Sequence, residues 1–263
     1  MRNVLFTGGW AHDFATHAPL LSAALDGAGV GIETTMVDDL DTLAEVVRDG
    51  VDLVTIYACR FRMLDERYTP EQRAEWSMEI PASTRAALTD HVAAGRPMLA
   101  VHTAAVCFDD WPEWSELLGG GWSWERSWHP PPENMTVRLV GDHPIVAGFD
   151  VSGTGTPAGV DAPGGPDDRA VSQQGSAAEG SMEMASIRIV DERYTDLVVH
   201  ETSQVLAVCA GDDGVDQPVL WCHESAGGRV VYDSLGHDVR SLTHPGHLEL
   251  IARSVRWLVA DEA

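Results

Sequence analysis

Short apolar runs alternate with segments of helical period along the first hundred residues. Val4-Leu5-Phe6, Leu53–Tyr57 and Pro97–His102 read as strands that are largely apolar on both alternations, and the more polar Ile32–Val37 as another strand. Between them, Pro19–Ala28 places Leu20, Leu21, Ala24 and Leu25 at helical spacing. Asp41 opens a second helix through Arg48, with Leu43, Val46 and Val47 on one face, and Pro81–Ala94 forms a third before Gly95. Strands without a polar face, joined by helices, are what a parallel sheet covered on both sides requires.

Beyond His102 the period is less regular. Asp109–Leu118 is rich in tryptophan and acid, and Trp122–Pro130 is unusually aromatic. Thr136–Val140, Val205–Cys209, Pro218–His223 and Arg229–Tyr232 read as further strands, and Pro245–Val259 as a closing helix. Arg60–Ile80 is polar and irregular, with Thr69-Pro70-Glu71-Gln72 resembling a helix start. Residues 151–181 consist largely of Gly, Pro, Ser, Ala and Asp, which predicts a flexible insertion within a single domain spanning 1–263.

Composition removes several function classes. A formal charge of −24 repels phosphate backbones and anionic bilayers, so neither nucleic acid nor a membrane is expected as a partner. All 17 basic residues are arginine. The absence of lysine excludes Schiff-base chemistry, pyridoxal phosphate anchoring and a Walker-type phosphate lysine, and no nucleotide cofactor is expected. Cys59, Cys107, Cys209 and Cys222 lack C-x-x-C spacing. Reduced, buried thiols in a cytoplasmic protein are the expectation, since the N-terminus enters a strand without a signal region and no apolar stretch approaches about 20 residues.

The candidate chemistry lies at strand ends. In open α/β sheets, ligands meet the protein at the carboxyl ends of the strands. His12, His102 and His237 each follow such an end, and His129 and Glu192 sit on loops that can close over the same crevice. Three readings stand. His12, His102, His129 and His237 hold a divalent metal, zinc first among the candidates; or the group performs acid–base chemistry without metal; or the histidines are only hydrogen-bonded structure. The catalytic candidates are His102, His237, Glu192 and Asp238, with Glu192 a general base raised by the neighbouring Asp191. Asp13 and Asp238 are placed to orient adjacent imidazoles. Trp10, Trp111, Trp124 and Trp128, with Tyr194, are candidates to stack sugar rings, and Trp114 and Trp122 belong to the same aromatic group.

Taken in order, these residues resemble the ThuA-like (trehalose utilisation) family. The resemblance rests on Gly8-Gly9-x-x-His12, His102-Thr103-Ala104, Trp111 with Trp114, Leu117-Leu118-Gly119-Gly120, and His129. It continues through Asp142-His143-Pro144-Ile145, Asp191-Glu192-x-Tyr194, Pro218–Trp221, Gly228–Tyr232 and Leu235-Gly236-His237-Asp238. It implies the class I glutamine amidotransferase-like fold: a flavodoxin-like, three-layer α/β/α sandwich on a mostly parallel sheet. Those enzymes carry a cysteine on the elbow after the central strand, where this chain has His102, and Cys107 falls too late, inside the presumed helix. Cysteine-dependent glutamine hydrolysis is therefore not expected. The resemblance and the tryptophans together point to an enzyme of carbohydrate metabolism. It would hydrolyse, eliminate or isomerise a sugar or keto-sugar; a non-catalytic sugar-binding or scaffolding protein of the same fold is the alternative. A homo-oligomer is compatible with either. The insertion at 151–181 and the elaborated Arg60–Ile80 segment, with Tyr68 and Trp76, depart from the family pattern, and the latter is placed to cover the site.

Overall fold

The strands apolar on both alternations occupy the middle of a large sheet. The computed structural model describes residues 1–149, 185–225 and 227–260, and the insertion expected at 151–181 lies outside them. Its strands are β1 (Arg2–Gly9), β2 (Glu33–Val37), β3 (Leu53–Cys59), β4 (Met98–Val101), β5 (Gly120–Gly121) and β6 (Glu133–Leu139). They continue as β7 (Ser186–Asp191), β8 (Val198–Val199), β9 (Gln204–Ala210), β10 (Asp216–Ser225) and β11 (Gly228–Asp233). Nine form one sheet in the order β2-β1-β3-β4-β11-β10-β9-β6-β7, while β5 and β8 make a separate ribbon. The first five pair in parallel, repeating the 2-1-3-4-5 order of flavodoxin-like sheets. From β11 outward every pairing is antiparallel.

The helices are α1 (Phe14–Asp26), α2 (Leu40–Arg48), α3 (Pro70–Trp76), α4 (Ala82–Ala93), α5 (Glu113–Leu118), α6 (Val239–Leu242) and α7 (Pro245–Leu258). Period-two alternation sorts the parallel strands between two cores. Leu5, Tyr57, Leu99 and Val101 pack with α1 and α7 residues such as Leu21, Leu25, Leu250 and Val255. Val4, Phe6, Val54, Ile56, Met98 and Ala100 pack on the opposite face with Leu43, Val47, Leu88 and Val92 of α2 and α4. The antiparallel strands β6 and β7 bury only one face: Val137, Ile187 and Ile189 point inward, whereas Thr136 and Arg188 are exposed.

Local signals explain the shifted boundaries. Helix α1 begins at Phe14 rather than Pro19 because Asp13 caps it, accepting from Thr16 N at 3.2 Å. Pro19 is carried inside, at the loss of the bond its nitrogen would give Ala15. Helix α2 is capped by Asp39, which accepts from Thr42 N at 2.8 Å, rather than by Asp41. No described helix is long and apolar enough to cross a membrane.

Candidate functional site

Four strand ends, those of β1, β4, β7 and β11, deliver the polar groups of the site. β4 stops at Val101, and His102 opens a single 3-10 turn, His102–Ala105, in the left-handed region at φ +52°. A non-glycine residue holds that conformation only when its surroundings over-determine it. Here the Tyr232 hydroxyl donates to the His102 carbonyl at 2.8 Å, and the ring Nδ1–H donates to the Ser234 carbonyl at 2.8 Å. The imidazole is fully buried, with Nε2 directed outward from the strand end.

His12 arrives from β1 through a tight crossing of β3. Gly9 has φ +122°, and a Cβ there would fall on the Cys59 carbonyl, the group that accepts Trp10 N at 2.9 Å. The chain then turns so that His12 Nδ1–H donates to the Trp10 carbonyl at 3.2 Å. His237 follows β11, on a loop held by the fully buried Asp191. That carboxylate accepts Gly236 N at 2.8 Å on one oxygen, and His237 N at 3.3 Å with Glu192 N at 2.7 Å on the other. Tyr57 secures the same loop by donating to the Gly236 carbonyl at 2.7 Å. One buried acid thus fixes the backbones of both Glu192 and His237.

The four side chains converge. His12 Nε2 lies 3.2 Å from His102 Nε2 and 3.1 Å from His237 Nδ1. Glu192 Oε2 lies 3.2 Å from His237 Nδ1 and 3.5 Å from His102 Nε2. One ligand atom from each falls within 4.8 Å of all the others. The carbonyl bonds assign the proton of both His12 and His102 to Nδ1, so their Nε2 lone pairs face each other. Two opposed lone pairs at that distance repel unless a cation, either a proton or a metal ion, lies between them. Ligand atoms of a tetrahedral shell at about 2.0–2.1 Å from zinc stand roughly 3.4 Å apart, so the donor set has a fitting size.

Burial and mutual charge divide the protonation states. Burial, with the neighbouring His102 charge, lowers the His12 imidazole to about 3. Burial also works against His237, but the hydrogen bond and charge of Glu192 outweigh it and raise its pKa above the usual histidine value. For Glu192, burial acts upward and is overcome by the imidazoles of His102 and His237 that face it and by the charge of His129. Its carboxyl is held below the usual range. The expectation of a Glu192 raised by Asp191 is therefore corrected: Asp191 engages backbone N–H groups, and Glu192 faces imidazoles.

The other candidates take varied places. His129 is outside the four-atom group, with its Nδ1 at 3.4 Å from the second Glu192 oxygen, Oε1. Tyr194 is buried, stacks on His102 with centroids 4.9 Å apart, and brings its hydroxyl to 3.4 Å from His102 Nε2. Asp13 caps α1, and Asp238 caps α6 and pairs with Arg240; among the described residues neither carboxylate is hydrogen-bonded to an imidazole. Cys107 precedes α5 rather than lying in a helix, and donates to the Ala58 carbonyl at 3.0 Å. Burial pushes its thiol up to about 12 and raises that of Cys59, which leaves no activated thiolate near the elbow.

A cavity of about 420 Å³ opens above the cluster, with His12, His129, Glu192, Tyr194 and His237 in its wall. Trp10 and Trp124 line it. Trp111 does not: it is buried against Trp114 at a centroid distance of 5.6 Å, in the core beneath α5. Trp128 is exposed outside the lining, where its backbone bridges to Thr195. The Arg60–Ile80 segment supplies Phe61, Arg67, Tyr68 and Gln72 to the opposite wall. Of these, only Tyr68 was singled out by the sequence; Trp122 and Thr103, also in the wall, had no individual role.

Residues 166–258 match the model of the trehalose utilisation (ThuA) family. No curated protein matches the chain. A solved structure described as a ThuA-like protein from Parabacteroides merdae superposes with a TM-score of 0.67 at 14% identity, covering 98% of this chain and 90% of that one. A second, from Bacteroides uniformis, gives 0.62 at 14% identity, covering 98% and 91%. A cytoplasmic protein from Salmonella typhimurium LT2 gives 0.59 at 14% identity, covering 98% and 99%. At such identity these structures establish the fold alone.

Proposed function

We propose that this chain, which is ThuA-like, is an enzyme of carbohydrate metabolism. It binds a sugar or keto-sugar in the cavity at the carboxyl edge of the sheet, beside a divalent metal held by His12, His102, His237 and Glu192. The observation that carries the reading is the pair of imidazole lone pairs directed at each other between His12 and His102. Zinc suits three neutral imidazoles and one carboxylate. With these four side chains around it, such an ion would supply Lewis acidity to a substrate carbonyl or hydroxyl, or lower the pKa of a water, only where that oxygen joins as a further ligand.

The chain's own groups have distinct tasks. The Ser234 and Trp10 carbonyls hold His102 and His12 in the tautomer that offers Nε2. His129, at the outer oxygen of Glu192 and in the cavity wall, is placed to exchange a proton with a bound ligand. Trp10 and Trp124 offer flat apolar faces to a sugar ring. The reaction class is hydrolysis, elimination or isomerisation. The buried, unpaired cysteines suit a reducing, cytoplasmic setting.

Metal analysis of purified protein, followed by turnover of a sugar and keto-sugar panel before and after chelation, tests the reading. Stoichiometric metal and chelator-sensitive product formation are expected. Metal-free protein with full turnover removes the metal, and sugar binding without turnover that survives His102→Ala makes the chain a sugar-binding protein instead.

A further inference from the structure

The carbonyl that holds the His102 ring belongs to a peptide group that is itself clamped. His102 Nδ1–H donates to the Ser234 carbonyl at 2.8 Å. The N–H at the other end of the same peptide, that of Leu235, donates to Asp233 Oδ1 at 3.0 Å. A trans peptide is planar and points its N–H and C=O in opposite directions, so fixing one end aims the other. Asp233, the last residue of β11, thus bonds the backbone two residues on and turns the chain out of the strand.

The second carboxylate oxygen leads away from the site. Asp233 Oδ2 accepts from His247 Nε2–H at 3.2 Å, and His247 Nδ1–H donates to the Ser241 carbonyl at 3.0 Å. Both ring nitrogens face oxygen acceptors, so the imidazole carries both protons and a positive charge beside the carboxylate. Burial works against that charge, but Asp233 outweighs it and raises the His247 pKa. Asp233 and His247 are both buried, and neither can exchange its partner for solvent. A buried ion pair is a poor source of stability, because desolvation of the two charges cancels much of their attraction. What this one supplies is a fixed direction for the Ser234–Leu235 peptide.

We propose that Asp233 and His247 are positioning residues for the elbow histidine: through the Ser234–Leu235 peptide they keep the His102 proton on Nδ1 and its Nε2 lone pair directed at His12. Neither residue lines the cavity, and both act through backbone. The inference rests on the metal site proposed above and deepens it, because a ring nitrogen that carries a proton cannot bind a metal ion. The site is then set from helices α6 and α7, through Ser241 and His247, as well as from the sheet.

The test compares Asp233→Ala, which removes both bonds, with Asp233→Asn. The asparagine keeps an oxygen for Leu235 N and turns its amide N–H toward His247, which in its neutral form accepts it. Nitrogen NMR of the histidine rings in chelated protein reads the His102 tautomer, with His102→Gln identifying the signal; zinc competition and melting curves accompany it. Wild-type His102 should give the signal of an Nδ1–H ring. In Asp233→Ala an Nε2–H population should appear and zinc affinity should fall about 10- to 100-fold, the cost of losing a group that orients a ligand. Asp233→Asn should stay close to wild type in both. Asp233→Ser, which leaves only a weaker acceptor for Leu235 N, replaces the alanine variant if that fails to fold. A folded alanine variant that melts lower but keeps the wild-type tautomer and zinc affinity overturns the proposal, since the pair is then purely structural. So does a loss in Asp233→Asn equal to that in Asp233→Ala, since the turn bond is then irrelevant. Wild-type protein that takes up no zinc overturns the metal reading instead, and the tautomer alone then decides for or against the positioning role.

Discussion

His12 and His102 meet Nε2 to Nε2 at 3.2 Å, and each has its Nδ1 tied to a backbone carbonyl. Neither ring can rotate to present an N–H to the other without breaking a bond that positions it. In the metal-free protein the nearest source of a proton is His237, whose pKa is raised by Glu192 and whose Nδ1 faces both His12 and Glu192. A metal ion entering this group must displace that proton. At pH 6.5 a histidine with a raised pKa is more than half protonated, so zinc binding should release more than about half a proton per site. Zinc calorimetry in buffers of different ionisation enthalpy checks this. Glu192→Gln should reduce the release, because the carboxylate that raises His237 is gone; release unchanged by that substitution would place the proton elsewhere.

Ligand-free stability should fall with acid through His12. Its folded pKa is about 3 against 6.5 for the free side chain, so below pH 6.5 the unfolded chain takes a proton that the folded chain refuses. The unfolded state then binds more protons, which makes stability rise with pH between about 3 and 6.5 and level off above. His12→Asn should flatten that slope by up to about one proton. Denaturant midpoints at pH 5 and pH 7.5, with chelator present, measure the difference, and an unaltered slope in the variant would be the contrary result.

Asp191 is expected to control metal affinity without touching the metal. It holds the backbones of Glu192 and His237 together through three N–H bonds. Asp191→Asn keeps the size but replaces one acceptor oxygen by a donor that faces backbone N–H groups. Loss of such supporting bonds costs about 10- to 100-fold in metal affinity. A zinc competition titration reads this directly. Because the residue is fully buried, a melting curve should accompany it, and zinc affinity equal to wild type in a folded variant would show that the loop holds its shape unaided.

How much of this was legible follows from what a linear pattern can carry. The parallel half could be read because its inner strands β1, β3 and β4 are largely apolar on both faces, whereas the edge strand β2 is not, and the rule that ligands meet strand carboxyl ends then brought His12, His102 and His237 together. No spacing announced them, since positions 12, 102 and 237 meet only through the order β1-β3-β4-β11. The neighbours β6 and β7 follow from long-range pairing that local pattern does not encode. Asp191 and Glu192 looked like two mutually repelling acids, but successive residues of an extended chain point to opposite sides. One therefore anchors a loop and the other faces imidazoles. The Arg60–Ile80 segment showed its capping box, Thr69 with Gln72, but not which of its side chains would line the cavity.

Tryptophan content made Trp111 and Trp124 equal candidates for sugar stacking, and substitution should separate them. Trp124 is 45% exposed and lines the cavity, whereas Trp111 is 5% exposed and packs on Phe108 and Trp114. Removing a buried indole leaves a void that neighbouring side chains fill only in part, so Trp111→Ala should destabilise the fold by about 3–5 kcal/mol. Its effect on sugar affinity, measured well below the melting temperature, should be small. Trp124→Ala should leave the denaturation midpoint nearly unchanged and weaken binding of the same sugar, because the lost surface is one that the ligand rather than the protein covers. Urea denaturation and calorimetry on the two variants decide the matter. Weakened binding in folded Trp111→Ala alone would mean that the ligand is held from the α5 side, through the core packing of that helix, and not by the exposed indole at the cavity mouth.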